Sequence, residues 1–183
     1  MGDRWGMDGP PQDAYSRVTD PGRYAPLHGI ARTLLDRLEN SYDVTRETAV
    51  AVDPTGAPAQ AITLAVADGL RSPFGIVFTS FPGLLVRTGR DSETPVPQCG
   101  CDACDETVDE STERLEALAA AVIGGTLGER LVQDREWWHE HWFEAAGQQW
   151  GGRQRVESDA LRALREALPR GELIWMPWAR RNA

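Results

Sequence analysis

Lysine is absent from this chain: all 19 of its basic residues are arginine, and it holds only three histidines and three cysteines. The all-arginine usage reads as the mark of a GC-rich genome rather than of a site. Long apolar runs are missing too. The longest, Ala117 to Ile123, is far too short to cross a bilayer, and nothing near the N-terminus resembles the apolar core of a signal peptide. The expected location is therefore the cytoplasm, with no membrane partner. An odd cysteine count agrees, because a secreted domain stapled by disulfides pairs its cysteines. There is no P-loop, no glycine-rich dinucleotide fingerprint after a strand, no G-x-S-x-G elbow and no HExxH. Arginines gather only mildly after Gly151, seven against four acids, which is too weak a basic footprint for a nucleic-acid reader.

What remains is an ordinary globular composition, 183 residues with 41% apolar and 26% charged. This length and balance suit one domain with a real core. We expect a flexible polar segment at residues 1–14, a single domain at 15–179 and a charged tail at 180–183. The net charge of −9 is concentrated: residues 91–116 carry nine acids against Arg114 alone, and the rest of the chain is nearly balanced. An acidic patch and a mildly basic C-terminal face can attract each other, so self-association or a protein partner is an expectation.

The periodicity is that of an α+β fold, mostly antiparallel strands with three principal helices. Leu27, Ile30, Leu34, Leu38 and Tyr42 recur at helical spacing, which predicts a helix over Pro26–Ser41 after the Asp20-Pro21 start. Short turns then separate strand-like stretches at 48–53, 60–67, 74–80 and 84–88, which favours antiparallel neighbours. Residues 89–98 read as a polar loop. Thr107 and Glu110 fit a capping box for a helix ending at Gly124-Gly125. Residues 134–146 satisfy both a helical and a strand pattern. Their aromatics and the following Gln-Trp-Gly-Gly run favour strands at 130–132, 136–143 and 148–156, turning at residues 145–147. Ser158 is expected to cap a last helix, followed by a strand at 172–176. Six of the seven tryptophans lie at or after Trp137, most of them expected in the core, with Trp178 the best candidate for an exposed contact.

All three cysteines fall within Cys99-Gly-Cys101-Asp-Ala-Cys104, followed at once by Asp105-Glu106. Thiolates and imidazoles suit a borderline-soft cation, and the Cys101/Cys104 gap is that of a zinc knuckle. The fourth ligand is not local. His139 and His141, two apart on a strand, present their rings to one side, so either can complete a Cys3His site with Cys99, Cys101 and Cys104; Asp105 or Glu106 can do so with oxygen. The plain alternative is a cysteine trio that only fills a tight loop and histidines that only pack among tryptophans. Thiol redox chemistry ranks lowest, because Asp102, Asp105, Glu106, Asp109 and Glu110 surround the sulfurs with charge that opposes thiolate. A cysteine–histidine dyad through His28, His139 or His141 has no support beyond residue type, and Thr79-Ser80-Phe81-Pro82-Gly83 reads as a turn.

Four segments, Arg17-Val-Thr-Asp-Pro-Gly-Arg-Tyr-Ala-Pro-Leu-His28, Phe81-Pro-Gly-Leu-Leu-Val-Arg-Thr-Gly89, Cys99-Gly-Cys-Asp-Ala-Cys-Asp-Glu106 and Trp175-Met-Pro-Trp178, together resemble an uncharacterised family of actinobacterial proteins. The cysteine motif is the specific part. The resemblance implies a bacterial cytosolic protein of a domain-of-unknown-function family and supplies no activity, catalytic residue or ligand. The leading expectation is a non-enzymatic binding or interaction module whose acidic cysteine loop is held by packing or by structural zinc. The alternative is a metal-dependent or thiol enzyme acting on a small molecule.

Overall fold

The computed structural model describes residues 5–7, 9–145 and 147–181. The first four residues and Asp8 of the expected flexible segment, Ala146 of the expected turn, and the last two residues of the tail lie outside the described residues. The architecture is α+β. Helix α1 (Pro26–Ser41) precedes five strands, β1 (Thr45–Val52), β2 (Pro58–Ala65), β3 (Phe74–Phe78), β4 (Leu84–Thr88) and β5 (Ser92–Val96). Helix α2 (Val108–Gly124) follows, then β6 (Leu127–Asp134), β7 (Glu136–Ala145), β8 (Gln148–Arg155), helix α3 (Ser158–Ala167) and β9 (Glu172–Ile174). The first sheet is a five-stranded antiparallel meander in sequence order, and the second has the order β8-β7-β6-β9.

Helix α1 lies where its apolar periodicity puts it, and α2 where its capping box does. In α2 the Thr107 hydroxyl accepts the Glu110 amide at 3.1 Å while the Glu110 carboxylate accepts the Thr107 amide at 2.9 Å. At its other end Gly125 takes φ +69°, and a Cβ there would meet the Pro177 backbone at 2.6 Å, so only glycine ends the helix this way. Both α1 and α2 bury a leucine and alanine stripe in one core, where Leu27, Leu35, Leu115 and Leu118 join Leu64, Phe74, Ile76 and Val86 of the first sheet and Leu127 and Phe143 of the second. Each such fully buried side chain contributes roughly 2 kcal/mol by removal from water.

Three expectations change. Residues 89–98 are not only loop: Ser92–Val96 pairs with β4, because the Gly89 turn returns the chain beside it. Helix α3 has Glu157 rather than Ser158 at its N-cap, with no side-chain cap bond. Trp178 is buried, not an exposed contact: its indole N–H donates to the Ser72 carbonyl at 2.9 Å and its ring packs edge-on against Tyr42 at 5.7 Å. Residues 136–145 form a strand, so its aromatics alternate between the two faces of the second sheet. Among the described residues no helix is long and apolar enough to cross a membrane.

Candidate functional site

The cysteine loop sits between β5 and the capped start of α2, and it is anchored from both sides. Glu106 closes its base. One carboxylate oxygen accepts the amides of Gln98 at 2.9 Å and Cys99 at 3.3 Å, and the other accepts the Ser111 hydroxyl at 2.8 Å. Asp102 does the reverse and points away into the N-terminal segment. Its buried carboxylate accepts the Arg17 guanidinium at 2.9 Å, the Thr19 amide at 2.9 Å and the Thr19 hydroxyl. Backbone bonds reinforce the tie, from the Asp102 amide to the Arg17 carbonyl at 2.8 Å and from the Ala103 amide to the Ala14 carbonyl at 3.1 Å. Residues 14–19 thus act as a strap across the loop, with Ala14 fully buried. Gly100 carries no side chain because a Cβ there would press into the Phe81 ring at 2.7 Å.

These anchors gather the three sulfurs within 4.8 Å of one another. Cys99 Sγ and Cys101 Sγ are 3.2 Å apart, and the Cys104 amide points at Cys101 Sγ at 3.5 Å. A tetrahedral zinc ion with bonds of about 2.3 Å needs its thiolates ~3.8 Å apart, so shifts of a few tenths of an ångström to about 1 Å suffice. The thiols are not equivalent. The Cys104 amide and then the Cys99 thiol hydrogen-bond to Cys101 and hold it below the ordinary thiol range. Cys104 donates its proton to its neighbours' sulfurs, first Cys99 and then Cys101, and is pushed up to about 12.

The acids that were expected to oppose thiolate are largely engaged elsewhere. Asp102 is bound by Arg17 and Thr19, Asp105 lies 3.5 Å from the Arg23 guanidinium, Glu106 holds the loop and Glu110 holds the cap. Hydrogen bonds from the loop's own backbone therefore decide the state of Cys101.

Cys99 and Cys104 open onto a groove of about 870 Å³. Its walls include Glu106, Glu110, Glu113 and Arg114 from α2 and its cap, together with Phe143 of β7 and Trp150 of β8. The two rings are stacked, with centroids 5.3 Å apart and planes 16° from parallel. Cys101 is buried.

The gathered ligand group has three members, and neither histidine nor Asp105 joins it among the described residues. His139 and His141 do lie on one face of β7, with ring centroids 6.5 Å apart. His139 is wholly buried, and its Nε2 donates to Glu129 Oε2 at 2.8 Å. Glu129 Oε1 accepts the Trp175 indole at 2.6 Å and the Arg90 amide at 3.0 Å. That carboxylate therefore bridges the β4–β5 turn to the second sheet. It also explains Gly89, where φ is +62° and a Cβ would lie 2.5 Å from Glu129 Oε1. His28 hydrogen-bonds the Gly83 carbonyl at 2.9 Å. Sequence reasoning passed over Glu129. Its one signal was a carboxylate two residues past the start of a strand, on the same face as buried Leu127.

No curated protein and no solved structure matches it. A family model described as a family of unknown function (DUF6226) matches residues 1–182, and the chain belongs to that family.

Proposed function

We propose that this member of the family is a zinc-holding binding module. Cys99, Cys101 and Cys104 take one ion as thiolates, and the ion's fourth position opens toward the groove, where a ligand docks. The observation that carries the reading is the gathering of all three sulfurs within 4.8 Å of one another. Cys99 and Cys104 line the groove and the buried Cys101 does not, which supports an open rather than a closed fourth position.

A borderline-soft dication gains most from sulfur, and it compensates the negative charge gathered at the site. Loading releases the proton that Cys104 holds, so uptake strengthens as pH rises. An open position beside a concave groove is also the arrangement of catalytic zinc, and that observation favours a second reading: a metal-dependent enzyme acting on a small molecule in the groove.

Cobalt substitution tests the centre. Chelator-stripped protein titrated with Co²⁺ should develop thiolate charge-transfer absorption that saturates at about one equivalent, and Cys101→Ser should abolish it. Titration without that band would sink the three-thiolate centre. A band lost equally in His139→Gln would show that the ligand set is wrong.

A further inference from the structure

Acids around the sulfurs rank thiol redox chemistry lowest in the sequence, and the fold commits those acids elsewhere. Both oxygens of Asp102 accept from Arg17 and Thr19, and both oxygens of Glu106 accept from the loop's own amides and Ser111. Arg23 stands 3.5 Å from Asp105, and Arg114 Nε stands 3.9 Å from Glu106 Oε1. Guanidinium groups thus offset the carboxylates beside the cysteines, which weakens the charge objection to attack by sulfur.

Distance then selects a pair. The Cys99 thiol donates to Cys101 Sγ across 3.2 Å. A disulfide bond is about 2.05 Å long, so this pair closes by a movement of about 1 Å. Side-chain rotation supplies it, because the backbone on either side is pinned. Glu106 holds the Gln98 and Cys99 amides, and the strap holds those of Asp102 and Ala103. Two sulfurs held side by side on a fixed backbone react as an intramolecular pair. Access is unequal as well: Cys99 is half-buried and lines the groove, whereas Cys101 is buried. A reachable sulfur with a sheltered thiol beside it is suited to capture a sulfenic acid before it oxidises further.

We propose that Cys99 and Cys101 form a dithiol–disulfide couple, oxidised by a hydroperoxide that enters the groove, with Cys104 outside the couple. The Cys99 sulfur attacks the terminal oxygen of ROOH: the S–O bond forms, the O–O bond breaks, and the thiol proton leaves with the alkoxide as ROH. The Cys101 sulfur then attacks the Cys99 sulfur: the S–S bond forms, the S–O bond breaks, and the hydroxide takes the Cys101 proton and leaves as water. The two cysteines lose two electrons and the peroxide gains them. A low-molecular-weight dithiol reverses the step by exchange, itself becoming the disulfide. From the zinc-loaded form both cysteines start as thiolates, and the two protons come from solvent. The disulfide removes two of the three sulfur ligands at once, so oxidation releases the ion. That release rests on the zinc reading; the couple itself does not.

The test uses the full chain, chelator-stripped and zinc-loaded, treated with about one to ten equivalents of hydrogen peroxide. Intact mass, thiol titration and peptide mapping after alkylation follow the cysteines, and a chromogenic chelator follows zinc. The expected product is a monomer lighter by about 2 Da, with a Cys99–Cys101 link, Cys104 alkylated, and three thiols restored by dithiothreitol. The loaded sample should release about one zinc per disulfide formed. In Cys101→Ser the sulfenic acid loses its partner, and dimedone should label Cys99. The mapping on the parent chain does not depend on that variant folding. A link that includes Cys104, an intermolecular disulfide, direct passage to sulfinic acid, or three thiols that survive the peroxide would overturn the inference. Failure of the metal reading is distinct: the loaded sample would then hold negligible zinc before peroxide is added, while the mapping of the stripped sample would still decide the couple.

Discussion

Replacing Glu129 by alanine separates a structural carboxylate from a ligand to chemistry. In the folded protein this buried group accepts three hydrogen bonds, from the Trp175 indole, the Arg90 amide and His139 Nε2. Truncation leaves the Trp175 and His139 donors buried without an acceptor, because both residues are at most 3% exposed. Each unsatisfied buried donor costs roughly 1–3 kcal/mol, and the space left by the side chain adds to that. Removing a buried charge returns part of the cost, so the net expected loss is about 3–5 kcal/mol. For a domain of this size that lowers Tm by on the order of 10 °C. Glu129→Gln keeps one acceptor oxygen and should lose about half as much. The assay is urea unfolding with thermal melts, alongside zinc titration of the same variants. Because His139 serves Glu129 and not the sulfurs, zinc affinity of the folded fraction should not change. A Glu129→Ala variant as stable as the parent, or one that loses zinc while staying folded, would refute the reasoning.

The remaining predictions concern the loop and its surroundings. Asp102→Ala should release the strap at residues 14–19, raise amide exchange there and weaken zinc about 10-fold through lost orientation of the loop; unchanged exchange would show that the tie is dispensable. The same carboxyl is held well below its usual range, first by the Thr19 hydroxyl and amide. Its contribution to stability is therefore complete above pH ~3.9 and disappears as pH falls through its lower folded value, and the acid limb of a stability–pH profile should flatten in Asp102→Asn. Burial, and then the neighbouring His139, lower His141 from its ordinary value. The unfolded chain then takes up a proton that the fold resists, so stability should decline as pH drops below about 6.5, and His141→Gln should remove that slope. In metal-free protein the exposed Cys104, pushed up to about 12, should alkylate near neutral pH at least ~100-fold more slowly than a free exposed thiol, and Cys101→Ser should speed it.

Much of this fold was legible where local chemistry is self-sufficient. The leucine spacing of α1 and the Thr107–Glu110 box of α2 depend on residues within one or two turns, and both helices lie where those signals put them. The strand at 136–145 was readable from its aromatics, although two periods fitted it. β5 was not, because a polar run with Pro95 gains strand pairing only once the Gly89 turn has folded it back on β4. Trp178 misled for a related reason: a tryptophan beyond a proline near a chain end reads as exposed until residues over a hundred positions away supply Tyr42 and Ser72 to cover it.

At the site, the cysteine trio was visible as spacing and the structure brings it together. The partners of its acids were not visible. Arg17, Thr19 and Arg23 are more than eighty residues from the carboxylates they meet, so a segment that looked densely negative contains carboxylates already committed to other donors. Nor was the route to His139 and His141 legible. Strand alternation places both rings on one face, but which neighbours fill that face depends on β6 and β9, and there Glu129 receives His139.

Zinc content of the protein purified without chelator, combined with X-ray absorption at the zinc edge and thiol titration, tests the three-thiolate centre itself. About one zinc per chain is expected, with three sulfur neighbours at about 2.3 Å and one lighter ligand, and thiols that titrate only after chelation. Less than about a tenth of an equivalent of any transition metal, with all three thiols freely titratable, would contradict it.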